Sequence, residues 1–193
     1  MHPFKDDKVL LSWNGLMIAA LAHAGKIFQE ADMLNAAVKA NKFIEKNMLC
    51  QGRLMRRFTQ GETAIKGFLE DYSFYVFSLI ELYGTSGDEE YLRKAEDICD
   101  KMIELFLDEN HYDFFYEGKD NNELIINIKD TYDGAMPSGN SMAFYSLIAL
   151  SKHTSKYEDI IKDLMKYYAN EIEDYPLGHS MYLWAYINKT SYK

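Results

Sequence analysis

Two kinds of helical segment alternate along this chain, and that alternation is what most restricts its fold. Helical periodicity marks seven segments, at about 12–28, 31–48, 70–83, 89–107, 138–150, 157–172 and 176–187. The first, "SWNGLMIAALAHAGKIF", is apolar or small on nearly every side, as are "EDYSFYVFSLIELY" after its first turn, the segment at 138–150 and the last. The second, fourth and sixth are striped. At 89–107, for example, Leu92, Ala95, Cys99, Met102 and Phe106 oppose Arg93, Lys94, Asp97, Lys101 and Glu104. A helix apolar all round must be covered on all sides, whereas a striped one needs a single partner face. Strict alternation therefore predicts an all-α fold in which an inner ring is wrapped by an outer ring, a partial αα-toroid. An irregular bundle or a solenoid of hairpins is the alternative.

Two connections are long. Residues 51–67 and 111–129 each hold short β-rich runs around a polar, Gly-containing middle, and both predict small β-hairpins. Each joins a striped helix to the next apolar one, so both belong at the same end of the ring. The whole chain of 193 residues, 48% apolar, is expected to form one toroid-like domain over 1–193, as a piece of a longer protein. Its last apolar helix has no outer partner, and unpartnered inner helices favour self-association.

A formal charge of −9 argues against nucleic acid, whose phosphates call for a basic face. Neither a signal peptide nor an apolar run of membrane-spanning length is present in the sequence, so no membrane partner is expected and the cytoplasm is the expected location. Cys50 and Cys99 are far apart and read as a reduced pair. The sequence holds no G-x-S-x-G, phosphate-binding loop, H-E-x-x-H or Cys/His metal spacing, so neither cofactor nor metal is expected.

Three stretches, "HPFKDDKVLLSWNGLMIAALAHAG", "GFLEDYSFYVFSLIELYGTSGDEEYLRKA" and "DTYDGAMPSGNSMAFYSLIAL", together resemble the thioredoxin-domain-containing family that includes the spermatogenesis-associated proteins and bacterial relatives. The resemblance covers most of residues 2–150. It implies a six-hairpin, glycosidase-like toroid, similar to that of sugar epimerases and several glycoside hydrolases. It also implies that this chain is the C-terminal part of such a protein, without the thioredoxin-like domain.

The chain's unusual polar residues sit where the apolar helices begin. In a toroid those helices run parallel, so Asp7, Trp13, Asn14, Glu70, Asp71, Tyr72, Asp133, Ser138, Asn140 and His179 are expected to converge at one end. Carboxylates with aromatic rings at one mouth suit a small sugar or sugar derivative: rings stack on a pyranose face while carboxylates and amides read its hydroxyls. Glycoside hydrolysis needs two carboxyl groups, roughly 5–5.5 Å apart for retention and 6.5–9.5 Å for inversion. Asp71 and Asp133 are the candidate catalytic pair, with Glu70 next. Asp7, Trp13, Asn14, Tyr72, Ser138, Asn140 and His179 are the candidate binding residues. Epimerisation would need acid/base groups on two sides of a carbon, and His179 is the one histidine so placed. Ser138 is expected to cap its helix, which leaves Asp133 and Asn140 as ligand contacts. The alternative is a non-catalytic binding or scaffold domain that works beside a thioredoxin-like domain in longer relatives, with carboxylates paired to Arg or Lys.

Overall fold

A computed structural model describes residues 5–121 and 128–190 of the chain. Among the described residues seven α-helices carry the fold: α1 (Leu11–Phe28), α2 (Ala31–Asn47), α3 (Leu69–Ser86), α4 (Glu89–Phe106), α5 (Gly139–Leu150), α6 (Glu158–Asp174) and α7 (Ser180–Thr190). Contacts run in series from α1 to α3 to α5 to α7, while α2 and α4 lie outside and α6 flanks α5 and α7. This is the αα-toroid arrangement, with apolar helices inside and striped helices outside.

Small residues and rings make the inner contacts. Gly15 lets α1 close on α3: a Cβ there would lie 2.9 Å from the carbonyl of Phe74. Phe77 and Tyr145 meet edge to face at 5.3 Å between α3 and α5, and Phe144 stacks on Tyr182 at 3.8 Å between α5 and α7. The outer helices dock through their stripes, with Ala37, Ile44, Ala95, Cys99, Met102, Ile161 and Leu164 all buried. Two polar ties reinforce them: Tyr75 Oη donates to Asn41 across α3 and α2, and Lys94 of α4 pairs with Glu45 of α2.

The hairpin expected at 51–67 is present as β3 (Arg53–Thr59) and β4 (Glu62–Lys66), antiparallel, with Met55 opposite Lys66 and Thr59 opposite Glu62. Two short strands that periodicity does not reveal join it: β1 (Val9–Leu10) pairs with Phe58 and Arg57, and β2 (Leu49–Cys50) with Leu54 and Arg53. The expected hairpin at 111–129 falls partly on 122–127, outside the described residues. Around it the described chain forms a Leu107–Phe114 bridge and a hydrogen bond from Tyr116 N–H to the Ile128 carbonyl. Both connections meet at one end of the ring, where Leu69 N–H donates to the Tyr116 carbonyl and Arg53 pairs with Asp120.

Candidate functional site at the inner-helix starts

The four inner helices begin side by side, and direct contacts link each start to the next. Asp71, in the first turn of α3, accepts the Ser12 N–H of α1 at 3.0 Å. Gly139, the first residue of α5, lies so near α3 that a Cβ would sit 3.1 Å from the Glu70 nitrogen. Asp133, ahead of α5, accepts the Met181 N–H in the first turn of α7 at 2.8 Å. The starts of the inner helices are thus linked at one end of the ring.

What converges is not what the sequence suggested. Asp71 has no exposed surface. One of its oxygens takes the Ser12 N–H; the other takes the Phe68 N–H at 2.8 Å and the Arg56 guanidinium at 3.1 Å. Leu10, ahead of α1, offers no side-chain cap, so Asp71 caps α1 from a distance while closing the first turn of its own helix. Burial pushes its carboxyl above the usual range, opposed by the Phe68 N–H and by Arg56.

Asp133 is also buried. Its oxygens accept Ser138 N–H and Met181 N–H, both at 2.8 Å. Asn140 accepts the Phe114 N–H and donates to the carbonyls of Phe114 and Asp130. The expectation that capping leaves these two free is therefore corrected, because they satisfy backbone groups of other segments. Ser138 caps α5 as expected, accepting the Ser141 N–H.

Tyr72 is wholly buried; its hydroxyl accepts the Leu54 N–H and its ring lies 5.1 Å from the Arg53 guanidinium carbon. His179 is buried against the Thr131 carbonyl at 3.1 Å. Asn14 turns back to the Leu10 carbonyl, and the exposed Asp7 is held by the Thr59 hydroxyl.

Trp13 and Glu70 are also accessible to solvent, at the starts of α1 and α3. Trp13 is 60% exposed. The Glu70 side chain is 18% exposed and pairs with Arg56 at 2.8 Å. Arg56 is the participant sequence reasoning missed. It stands on β3 and lies 4.4 Å over the Phe68 ring, and that ring contacts Tyr116. The available signal was a basic residue on a hairpin leading into the acidic start of a helix. Asp133 instead lines a separate cleft of about 290 Å³ with Met136, Met181 and Trp184. Among the described residues no group of His, Cys, Asp and Glu could hold a metal ion, and no helix is long and apolar enough to cross a membrane.

No protein-family model matches the chain. Spermatogenesis-associated protein 20 from Homo sapiens is 34% identical over 163 residues, which is 79% of this chain. The chain belongs to that family. It spans about a fifth, 21%, of that relative's length. Among solved structures it superposes on cellobiose 2-epimerase from Bacillus thermoamylovorans with a TM-score of 0.70 at 15% identity, covering 86% of this chain and 45% of that one. A GH76 α-mannanase from Bacteroides thetaiotaomicron gives 0.68 at 18% identity, covering 86% and 46%. Identities this low establish the fold, a glycosidase- and epimerase-type αα-toroid, and not a reaction.

Proposed function

We propose that this family member is a carbohydrate-binding toroid module whose ligand lies across the starts of α1 and α3. Trp13 supplies a stacking surface; Glu70 and Arg56 supply a carboxylate and a guanidinium for hydroxyl groups. The observation that carries this reading is the division of labour within one acidic pair. Asp71 is sealed and fully bonded, whereas Glu70 beside it keeps an exposed edge. Asp71 and Asp133 then build the rim, and neither is placed to serve as one of the paired carboxyl groups that hydrolysis needs at the substrate.

The test is calorimetric titration with neutral mono- and oligosaccharides, amino sugars and uronic acids, beside turnover assays on the same panel. Binding that Trp13→Ala and Glu70→Gln both weaken at least tenfold, with melting temperature unchanged, is the expected result. Binding that survives both substitutions, or no binding across the panel, overturns it. Turnover abolished by Glu70→Gln would establish a catalyst in place of a binding module.

A further inference from the structure

A cavity of about 390 Å³ lies where the β3–β4 hairpin meets the second long connection, with Arg53, Ile65, Lys66, Phe68, Glu117 and Asp120 in its walls. Small-molecule sites commonly enclose roughly 300–1,000 Å³. Both walls are interior to the chain: the hairpin joins α2 to α3, and the connection joins α4 to α5. Arg53 fixes one wall to the other. Its guanidinium donates to the Gly67 carbonyl at 3.0 Å and pairs with Asp120 at 3.1 Å, over the rings of Tyr72 and Phe106. Gly118 makes room for the pair, since a Cβ there would lie 2.6 Å from the Asp120 carboxylate. Lys66 reaches the same carboxylate at 3.0 Å from the hairpin. Ile65 beside it has a φ of 67°, a left-handed backbone that a β-branched residue adopts only under constraint. Strain of this kind gathers at ligand clamps.

The walls carry two cations, Arg53 and Lys66, and two carboxylates, Glu117 and Asp120. Although burial alone would raise it, hydrogen bonds from Arg53 and Lys66 hold the Asp120 carboxyl below its ordinary 3.8, so it stays charged and the walls are balanced. Hydrogen-bonding capacity is nonetheless left over. Arg53 Nη1 is buried and has no hydrogen-bond partner. Lys66 is half exposed, and Glu117 engages the Asn121 side-chain amide through one oxygen only. A carboxylate, phosphate or ammonium group on a ligand would unbalance these charges. Hydroxyl groups, each both donor and acceptor, meet the spare groups without adding charge, and Phe68 offers a ring beside them. Arg56, which pairs with Glu70 at the rim, lies 4.4 Å over that same Phe68 ring, so cavity and rim adjoin. We infer that the cavity is a second saccharide subsite, taking one neutral pyranose residue beside the rim, and that the ligand is a neutral oligosaccharide of two or more residues. The ligand class rests on the reading of the rim proposed above, but the cavity has its own residues and is tested apart from it.

Calorimetric titration with glucose, mannose and their di- and trisaccharides tests the inference, with glucuronic acid and glucosamine as charged controls. Disaccharides are expected to bind about tenfold more tightly than the monosaccharides, and more tightly than either control. Lys66→Ala and Glu117→Gln should each remove that gain while monosaccharide affinity and melting temperature stay as in wild type. Trp13→Ala and Glu70→Gln should weaken mono- and disaccharides alike. Where Lys66→Ala lowers the melting temperature, Glu117→Gln decides, because it keeps the shape of the side chain and removes only its charge. A disaccharide gain that survives both cavity substitutions overturns the inference and leaves the rim reading standing. So does a disaccharide that binds no better than its monosaccharide. Weakening by the cavity substitutions alone, with Trp13→Ala and Glu70→Gln binding as wild type, refutes the rim reading and supports the cavity as the saccharide site. Preference for glucuronic acid or glucosamine overturns the neutral class, and no binding of any saccharide overturns both readings.

Discussion

Replacing Asp71 with Ala should unfold the start of the ring before it affects any ligand. The substitution removes three acceptor contacts: to Ser12 N–H, to Phe68 N–H and to the Arg56 guanidinium. Losing a helix cap costs about 0.5–2 kcal/mol, and here one carboxylate serves the starts of two helices. Breaking a buried ion pair by removing one partner costs about 3–5 kcal/mol. Arg56 keeps Glu70 and some solvent, which lowers that figure. A total of about 4 kcal/mol is reasonable, and for a chain of 193 residues this corresponds to a fall in melting temperature of roughly 10 °C. Asp71→Asn should do little better. An amide can offer its oxygen to Ser12 or to the Phe68 and Arg56 side, and its NH2 then faces donors on the other. Differential scanning calorimetry reads the effect, with saccharide titration on the same samples. An Asp71→Asn protein that melts with wild type yet has lost ligand binding or turnover would refute this account and restore Asp71 as a functional carboxylate.

Three further outcomes follow. Gly15→Ala should cost about 1–3 kcal/mol by calorimetry, because the new methyl group meets Phe74 backbone that cannot swing aside. Asn140→Ala should cost roughly 3 kcal/mol, leaving the Phe114 N–H and two carbonyls without their partner; hydrogen exchange should quicken first around Phe114. Asp108 is buried, and although burial alone would raise its carboxyl, Lys129, the Asn110 N–H and His111 together hold it below the ordinary 3.8. A carboxyl depressed in the folded state adds stability that is full above the unfolded value and is lost as pH falls through the folded one. Asp108→Asn should therefore be less stable than wild type at pH 7, and the gap should close below about pH 4 in acid-denaturation curves.

The helices were legible in the sequence because a ring imposes two different burial patterns. A segment such as "SWNGLMIAALAHAGKIF" has nothing to gain from a polar face, and 89–107 alternates charge and stripe as one covered side demands. The strands Val9–Leu10 and Leu49–Cys50 were not legible, since two residues carry no period and their partner is the distant β3. Adjacency of the inner-helix starts was legible for the same reason as the ring, but how the polar residues at those starts are used was not. Local rules find Ser138, whose partner Ser141 is three residues on. They cannot find Asp71 capping Ser12, 59 residues away, or Asp133 holding Met181, 48 residues away.

Those long-range caps explain why acidic residues crowd this end of the toroid before any ligand is considered. Parallel inner helices bring several N-termini together, and with them unsatisfied N–H groups and the positive ends of several dipoles. Spread over separate helices, each start could use its own cap. Packed in a ring, a carboxylate placed between two starts serves both and fixes their spacing, as Asp71 does for α1 and α3 and Asp133 for α5 and α7. An acidic residue at an inner-helix start of such a fold is therefore weak evidence of catalysis until its oxygens are accounted for. Here that accounting removes Asp71 and Asp133 from the list of groups free to meet a ligand. Glu70, held by one arginine and partly open, remains, so its substitution separates binding from folding where those of the two aspartates cannot.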